Sequence, residues 1–131
     1  MVEEAYISFE IAKLLKEKGF DEATIGAYYK DGTFNYLCLN TWNSKFITPI
    51  SAPTIQMAMQ WLREVHNIHI TIYYSAFLYG THPYYWSIDK MDSIPRADTQ
   101  IEVSTNTHDY SFVHYEKCCE AAIKYCLENL I

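Results

Sequence analysis

Ile68-His-Ile-Thr-Ile-Tyr-Tyr74, followed after a turn at Gly80 to Pro83 by Tyr84-Tyr-Trp-Ser-Ile88, is the stretch whose reading decides the fold. Successive side chains of an extended chain point to opposite faces, so Ile68, Ile70 and Ile72 fall on one side and His69, Thr71 and Tyr73 on the other. The second run is aromatic and close enough in sequence to pair back on the first, which predicts an antiparallel hairpin. A hairpin, where a strand–helix–strand crossover would give a parallel sheet, points to an α+β domain with helices packed on an antiparallel sheet.

Upstream of this hairpin the spacing changes from two to between three and four. Ile55, Ala58, Met59, Leu62 and Val65 recur at helical intervals and predict a helix to about His66. Pro53 suits its first turn, with Ser51 or Ala52 ahead of it, and Asn67 suits a left-handed stop. Met57 and Trp61 lie off the stripe, so the helix is apolar around more than half its circumference. Further back, Asp31-Gly32 between Thr24–Tyr29 and Thr33–Leu39 predicts a second hairpin, with residues 40–53 as a connection. An amphipathic helix precedes it, with Ser8 as cap, Ile7, Ile11, Ala12 and Leu14/Leu15 as its stripe and Gly19 as its stop.

Downstream, residues 89–99 read as loop with Pro95 as a breaker, and Gln100–Ser104 as a shorter strand. A last helix runs from Ser111 or Tyr115 to Leu130, with Tyr115, Cys119, Ala122, Ile123, Cys126 and Leu130 inward and Glu120–Lys124 as an i, i+4 pair. The expected architecture is one α+β domain over 1–131. It has an antiparallel sheet of four to five strands and three helices, in the order α-β-β-α-β-β-(β)-α.

Composition limits the function classes. At 131 residues the chain buries roughly two-thirds of its unfolded surface, enough for one core. Its net charge is −6, and the ten Lys and Arg are spread thinly, with Lys13, Lys16 and Lys18 interleaved with Glu10 and Glu17. A phosphate backbone demands clustered cations, so direct nucleic-acid binding is disfavoured. An acidic decoy would need aligned carboxylates, and these are scattered. No basic segment leading into an apolar run opens the chain, and no stretch is long and apolar enough for a membrane span. Cys38, Cys118, Cys119 and Cys126 then read as reduced thiols, and the expected location is cytoplasmic.

Ala12-Lys-Leu-Leu-Lys-Glu-Lys-Gly-Phe20, Ala52–His66 and Tyr115–Leu130 resemble segments of a group of small uncharacterised proteins encoded by phages and mobile elements of gut-dwelling anaerobic bacteria. The resemblance covers the three helices and the strand after the second, and residues 75–110 carry little of it. It implies an accessory protein in a bacterial cytoplasm. It implies no mechanism and no catalytic residues.

The chemistry-bearing constellations are weak. His66-x-x-His69 spans a helix end and a strand start and would need a tight turn plus further ligands to hold a metal. Near a helix C-terminus a protonated His66 is favoured in any case. His114 and Cys118 share a helix face, whereas Cys119 and Cys126 lie on the core face, where cysteine serves as a small hydrophobe. No nucleophile elbow, phosphate loop or C-x-x-C occurs. No catalytic, cofactor or metal residue is assigned.

One stretch stands above this background. From Val65 to Ile88 there is no Asp, Glu, Lys or Arg, and Tyr73, Tyr74, Phe77, Tyr79, Tyr84, Tyr85 and Trp86 crowd together. With Trp61 they form a candidate interface or ligand surface, since Tyr and Trp give contact area with a hydrogen-bonding tip. The competing reading is that the rings fill the sheet's core. Two functions follow. The first is a non-catalytic protein that self-associates or holds a protein partner. The second is a small-molecule binder or enzyme with His69, Tyr73 and His82 lining a pocket.

Overall fold

A computed structural model describes residues 2–36, 43, 49–91, 100–105 and 111–131. Along it run α1 (Phe9–Glu17), β1 (Gly26–Tyr28), β2 (Phe34–Asn35), β3 (Ile50–Ala52), α2 (Ile55–His66), β4 (Ile68–Tyr74), α3 (Ala76–Tyr79), β5 (Tyr84–Met91), β6 (Gln100–Thr105) and α4 (Tyr115–Asn129). The chain is α+β with antiparallel pairing throughout, as expected. The described strands form two sheets instead of one, ordered β2-β1-β3 and β4-β5-β6.

Two elements were not expected. β3 emerges from the presumed connection and pairs with β1 through Gly26↔Ala52, Ala27↔Ser51 and Tyr28↔Ile50. It is only three residues long between Pro49 and Pro53, too short for an alternation pattern to register. The other is α3, a single turn inside the β4–β5 connection, where the Ser75 hydroxyl accepts from the Leu78 N–H and Gly80, at φ 58°, closes the turn. The start of α2 also shifts. Thr54, not Ser51 or Ala52, is its cap, with Oγ1 accepting from the Met57 N–H at 3.2 Å. Pro53 stays outside the helix because its carbonyl accepts from Ile7 N. Asn67 ends α2 at φ 54°, as its side chain suggests. The expected loop over 89–99 starts later, because its first three residues continue β5 to Met91. Residues 92–99, like the expected strand residues Leu37–Leu39, lie outside the described residues.

The hub is α4, which packs against β4 and β5 on one side and α1 and α2 on the other. Its buried face is wider than the expected stripe and takes in Cys118, Cys119, Ala122, Ile123, Cys126 and Leu127. Neighbours also complete its ends. Lys18 Nζ donates to the Ile131 carbonyl at 2.9 Å and Lys90 Nζ to the Leu130 carbonyl at 2.8 Å. These cations supply the positive charge that a helix C-terminus favours and that α4 lacks in its own last turn. Glu120 does not serve the expected pair with Lys124. Its carboxylate accepts from the Ser8 N–H at 2.7 Å, at the start of α1, while Lys124 lies 2.8 Å from Glu10. A helix N-terminus with free N–H groups is the stronger attraction for a carboxylate.

Candidate functional site

Register divides the aromatic hairpin into two faces. β4 pairs with β5 through Ile68↔Lys90, Ile70↔Ile88, Ile72↔Trp86 and Tyr74↔Tyr84 on one face, and through His69↔Asp89, Thr71↔Ser87 and Tyr73↔Tyr85 on the other. Residues directly opposite in an antiparallel pair share a face. The first face is the one α4 covers. Trp86 lies there, only 7% exposed, with its ring 5.4 Å from that of Tyr125. Trp61 is buried as well, in α2, edge-on to Phe20 at 5.5 Å. Both tryptophans therefore belong to the core and leave the candidate surface.

The opposite face carries His69, Thr71 and Tyr73 exposed. Tyr73 stacks on Tyr85 with centroids 5.0 Å apart and planes 15° from parallel, and Tyr79 meets Tyr85 edge-on at 5.0 Å. At the hairpin's end Tyr84 contacts Tyr74 at 5.2 Å and Tyr115 at 5.9 Å. Phe112 extends the ladder there by exchanging two backbone hydrogen bonds with Tyr84. Beyond them α3 projects with no buried residue at all. Phe77 is 97% exposed, and Tyr74 and Leu78 are exposed beside it. The expected surface thus separates into a core half, a stacked tyrosine cluster, and an exposed apolar tip of Tyr74, Phe77 and Leu78.

The histidines do not converge. His69 and Tyr73 lie on one face of β4 but four residues apart, about 13 Å along a strand. His82 follows α3, with Nδ1 3.1 Å from the Thr81 hydroxyl. His66 turns inward, edge-on to Trp61 at 4.7 Å, and its buried Nε2 has no hydrogen-bond partner. Burial, with Lys90 nearby, pushes its pKa below the usual value, so the expected protonated His66 is instead neutral. His66 and His69 therefore point to different environments. His114 is exposed at the start of α4 while Cys118 is fully buried. Desolvation drives the thiols of Cys118 and Cys126 up to about 12 and that of Cys119 to about 11. Such thiols carry almost no thiolate near neutrality and are poor nucleophiles or ligands. Among the described residues no cluster of His, Cys, Asp and Glu is placed to hold a metal.

A second concavity lies at the other sheet. An open cleft of about 580 Å³ is lined by Val2, Glu3, Glu4, Tyr6, Phe34 and Tyr36. Tyr6 meets Phe34 at 5.2 Å and stands edge-on to Tyr36 at 6.0 Å and 87°. Phe34 and Tyr36 stand two residues apart at the end of the second hairpin strand, a spacing that puts both on one face of an extended chain. What sequence could not supply was Tyr6, which reaches them because its backbone pairs with Thr54.

No helix among the described residues is long and apolar enough to cross a membrane. Comparison with protein-family models, with curated proteins and with solved structures finds no match to this chain.

Proposed function

We propose that this protein is non-catalytic and self-associates through the tip of its β4–β5 hairpin, in the accessory role for a phage or mobile element that the resemblance of its helices implies. The observation that carries this reading is α3, a helical turn whose Phe77 and Leu78 face solvent beside Tyr74. Fully burying a Phe or Leu side chain yields about 1.5–3 kcal/mol. A small domain that leaves both out, on a turn anchored by a cap and a stacked tyrosine cluster, presents an unfilled contact.

Charge favours a second copy as the occupant. A chain of net charge −6 repels itself over most of its surface. Val65 to Ile88 has no acidic or basic side chain, so two hairpins meet without that penalty. Size-exclusion chromatography with light scattering, run across a wide concentration range, tests the reading. The expected result is a dimer mass for the wild type at high concentration and a monomer for Phe77→Ser/Leu78→Ser with an unchanged melting curve. A wild type that stays monomeric throughout, or a double variant that still dimerises, overturns it.

A further inference from the structure

We propose that the cleft between the N-terminal segment and β2 is a binding site for a trimethylammonium group, carried by a small molecule or by a methylated lysine side chain. The walls are aromatic on more than one side. Tyr6 and Tyr36 stand at 87° to each other, and Phe34 closes on Tyr6 at 5.2 Å with an interplanar angle of 51°. Rings set at steep angles present faces and edges around a common space, which suits a tetrahedral cation better than a flat one. Each ring face attracts a cation through its quadrupole. Among the described residues the lining adds Glu3 and Glu4, and no basic residue. Glu3 and Glu4 also border a neighbouring cleft of about 200 Å³ that Glu116 lines from α4, which extends the negative field.

The site is built before any ligand arrives. Phe34 is wedged between Tyr28, at 5.2 Å, and the bare Cα of Gly26. The Tyr28 hydroxyl donates to the Ile7 carbonyl at 2.6 Å, which ties this wall to the segment bearing Tyr6. Burial and the neighbouring Tyr36 and Glu4 hold the Tyr6 phenol above its usual pKa, so this wall is a neutral phenol at physiological pH. Within about 580 Å³ a trimethylammonium head leaves room for the chain that carries it. The site lies on the β1–β2–β3 sheet, so its fate is independent of the hairpin-tip reading.

The test is titration of the full chain with choline, with its uncharged carbon isostere 3,3-dimethylbutan-1-ol, and with a short peptide bearing trimethyllysine. The readouts are the N-methyl proton shift and tyrosine fluorescence. The expected result is saturable binding of at least one cation, with its methyl protons moved upfield by the rings, and at least about tenfold weaker binding of the isostere. Tyr36→Ala and Glu4→Gln each weaken the cation, and Tyr36→Phe restores it. Both positions are exposed, and a thermal melt confirms that each variant is folded. Stronger binding of the peptide identifies a protein side chain as the source, and stronger or equal binding of choline a small molecule. No saturable binding of either cation, equal binding of the isostere, or binding unmoved in both Tyr36→Ala and Glu4→Gln overturns the proposal.

Discussion

A methyl group added to Gly26 would stand 2.9 Å from the Ala52 carbonyl and 3.0 Å from the Phe34 ring. The ring can yield, but the carbonyl belongs to the paired β3 and cannot without breaking the ladder. Gly26→Ala is therefore expected to destabilise the fold by about 1–3 kcal/mol, the ordinary cost of overpacking, and to displace Phe34 from Tyr6. Denaturant midpoints with an unchanged slope check the first effect, and an unaltered midpoint contradicts it. His66 is the other residue whose surroundings set its behaviour. Its folded pKa lies below the free value of 6.5, so the unfolded chain binds the proton more readily. Stability is thus complete above about pH 6.5 and falls as the pH drops below it. His66→Gln should flatten that part of the curve, and Lys90→Met should move the His66 titration, read by NMR, upward. An equally steep loss between pH 7 and 5.5 in His66→Gln counts against this assignment. Neither property was legible in the sequence. An isolated glycine in a strand signals only a close approach of unknown identity, and position near a helix end suggested a charged imidazole because burial against Trp61 is a tertiary fact.

At the scale of elements, legibility followed length and periodicity. β4 runs over the seven residues that alternation indicated, and α2 ends at the asparagine that could close it. β3 and α3, three and four residues long, are too short for periodicity to register: β3 exists because it pairs with β1, and α3 is a single turn capped by Ser75. β5 shows how the surface was misread. Tyr84, Tyr85 and Trp86 look alike in sequence, yet register turns Tyr84 and Trp86 toward α4 and Tyr85 away from it. Of the first two only Trp86, opposite Ile72 and farther from the hairpin's end, is buried. Trp86→Ala should cost about 3–5 kcal/mol, whereas Tyr74→Ala, two residues along β4 from Ile72 and exposed, should cost no more than about 0.5 kcal/mol. Similar costs for the two would show that the hairpin's end is as tightly packed as its middle. On α4, Cys118, Cys119 and Cys126 are all buried with raised pKa values. In a Cys38→Ser background the native protein should resist a thiol reagent at pH 8 and release three reactive thiols on denaturation. Rapid labelling of the folded protein would mean that α4 opens locally or is misplaced.

At the scale of the molecule, the two sheets are separate in hydrogen bonding, which raises the question of whether they unfold separately. The packing argues that they do not. One contiguous set of buried residues runs from Ile7, Ile11 and Leu15 of the N-terminal helix region through Ile55, Trp61 and Leu62 of α2 to Ile123 and Leu127 of α4, and on to Ile68, Trp86 and Ile88 of the second sheet. Polar ties follow the same route, since Ser8 is held by Glu120, and Lys18 and Lys90 grip the same helix end from opposite sides of the fold. Removing the second sheet would expose one flank of α4, and removing α1, on which β3 packs, would expose the other, a loss neither half can offset alone. Two-state unfolding is the expected consequence. With Trp42 replaced by Phe, a Trp61→Phe variant reports from Trp86 in the hairpin, and a Trp86→Phe variant reports from Trp61 in α2. Within each variant, tryptophan fluorescence and far-UV circular dichroism should give the same denaturant midpoint. A fluorescence midpoint clearly below the circular-dichroism midpoint in one variant and above it in the other would show two units joined side by side, with α4 belonging to only one of them.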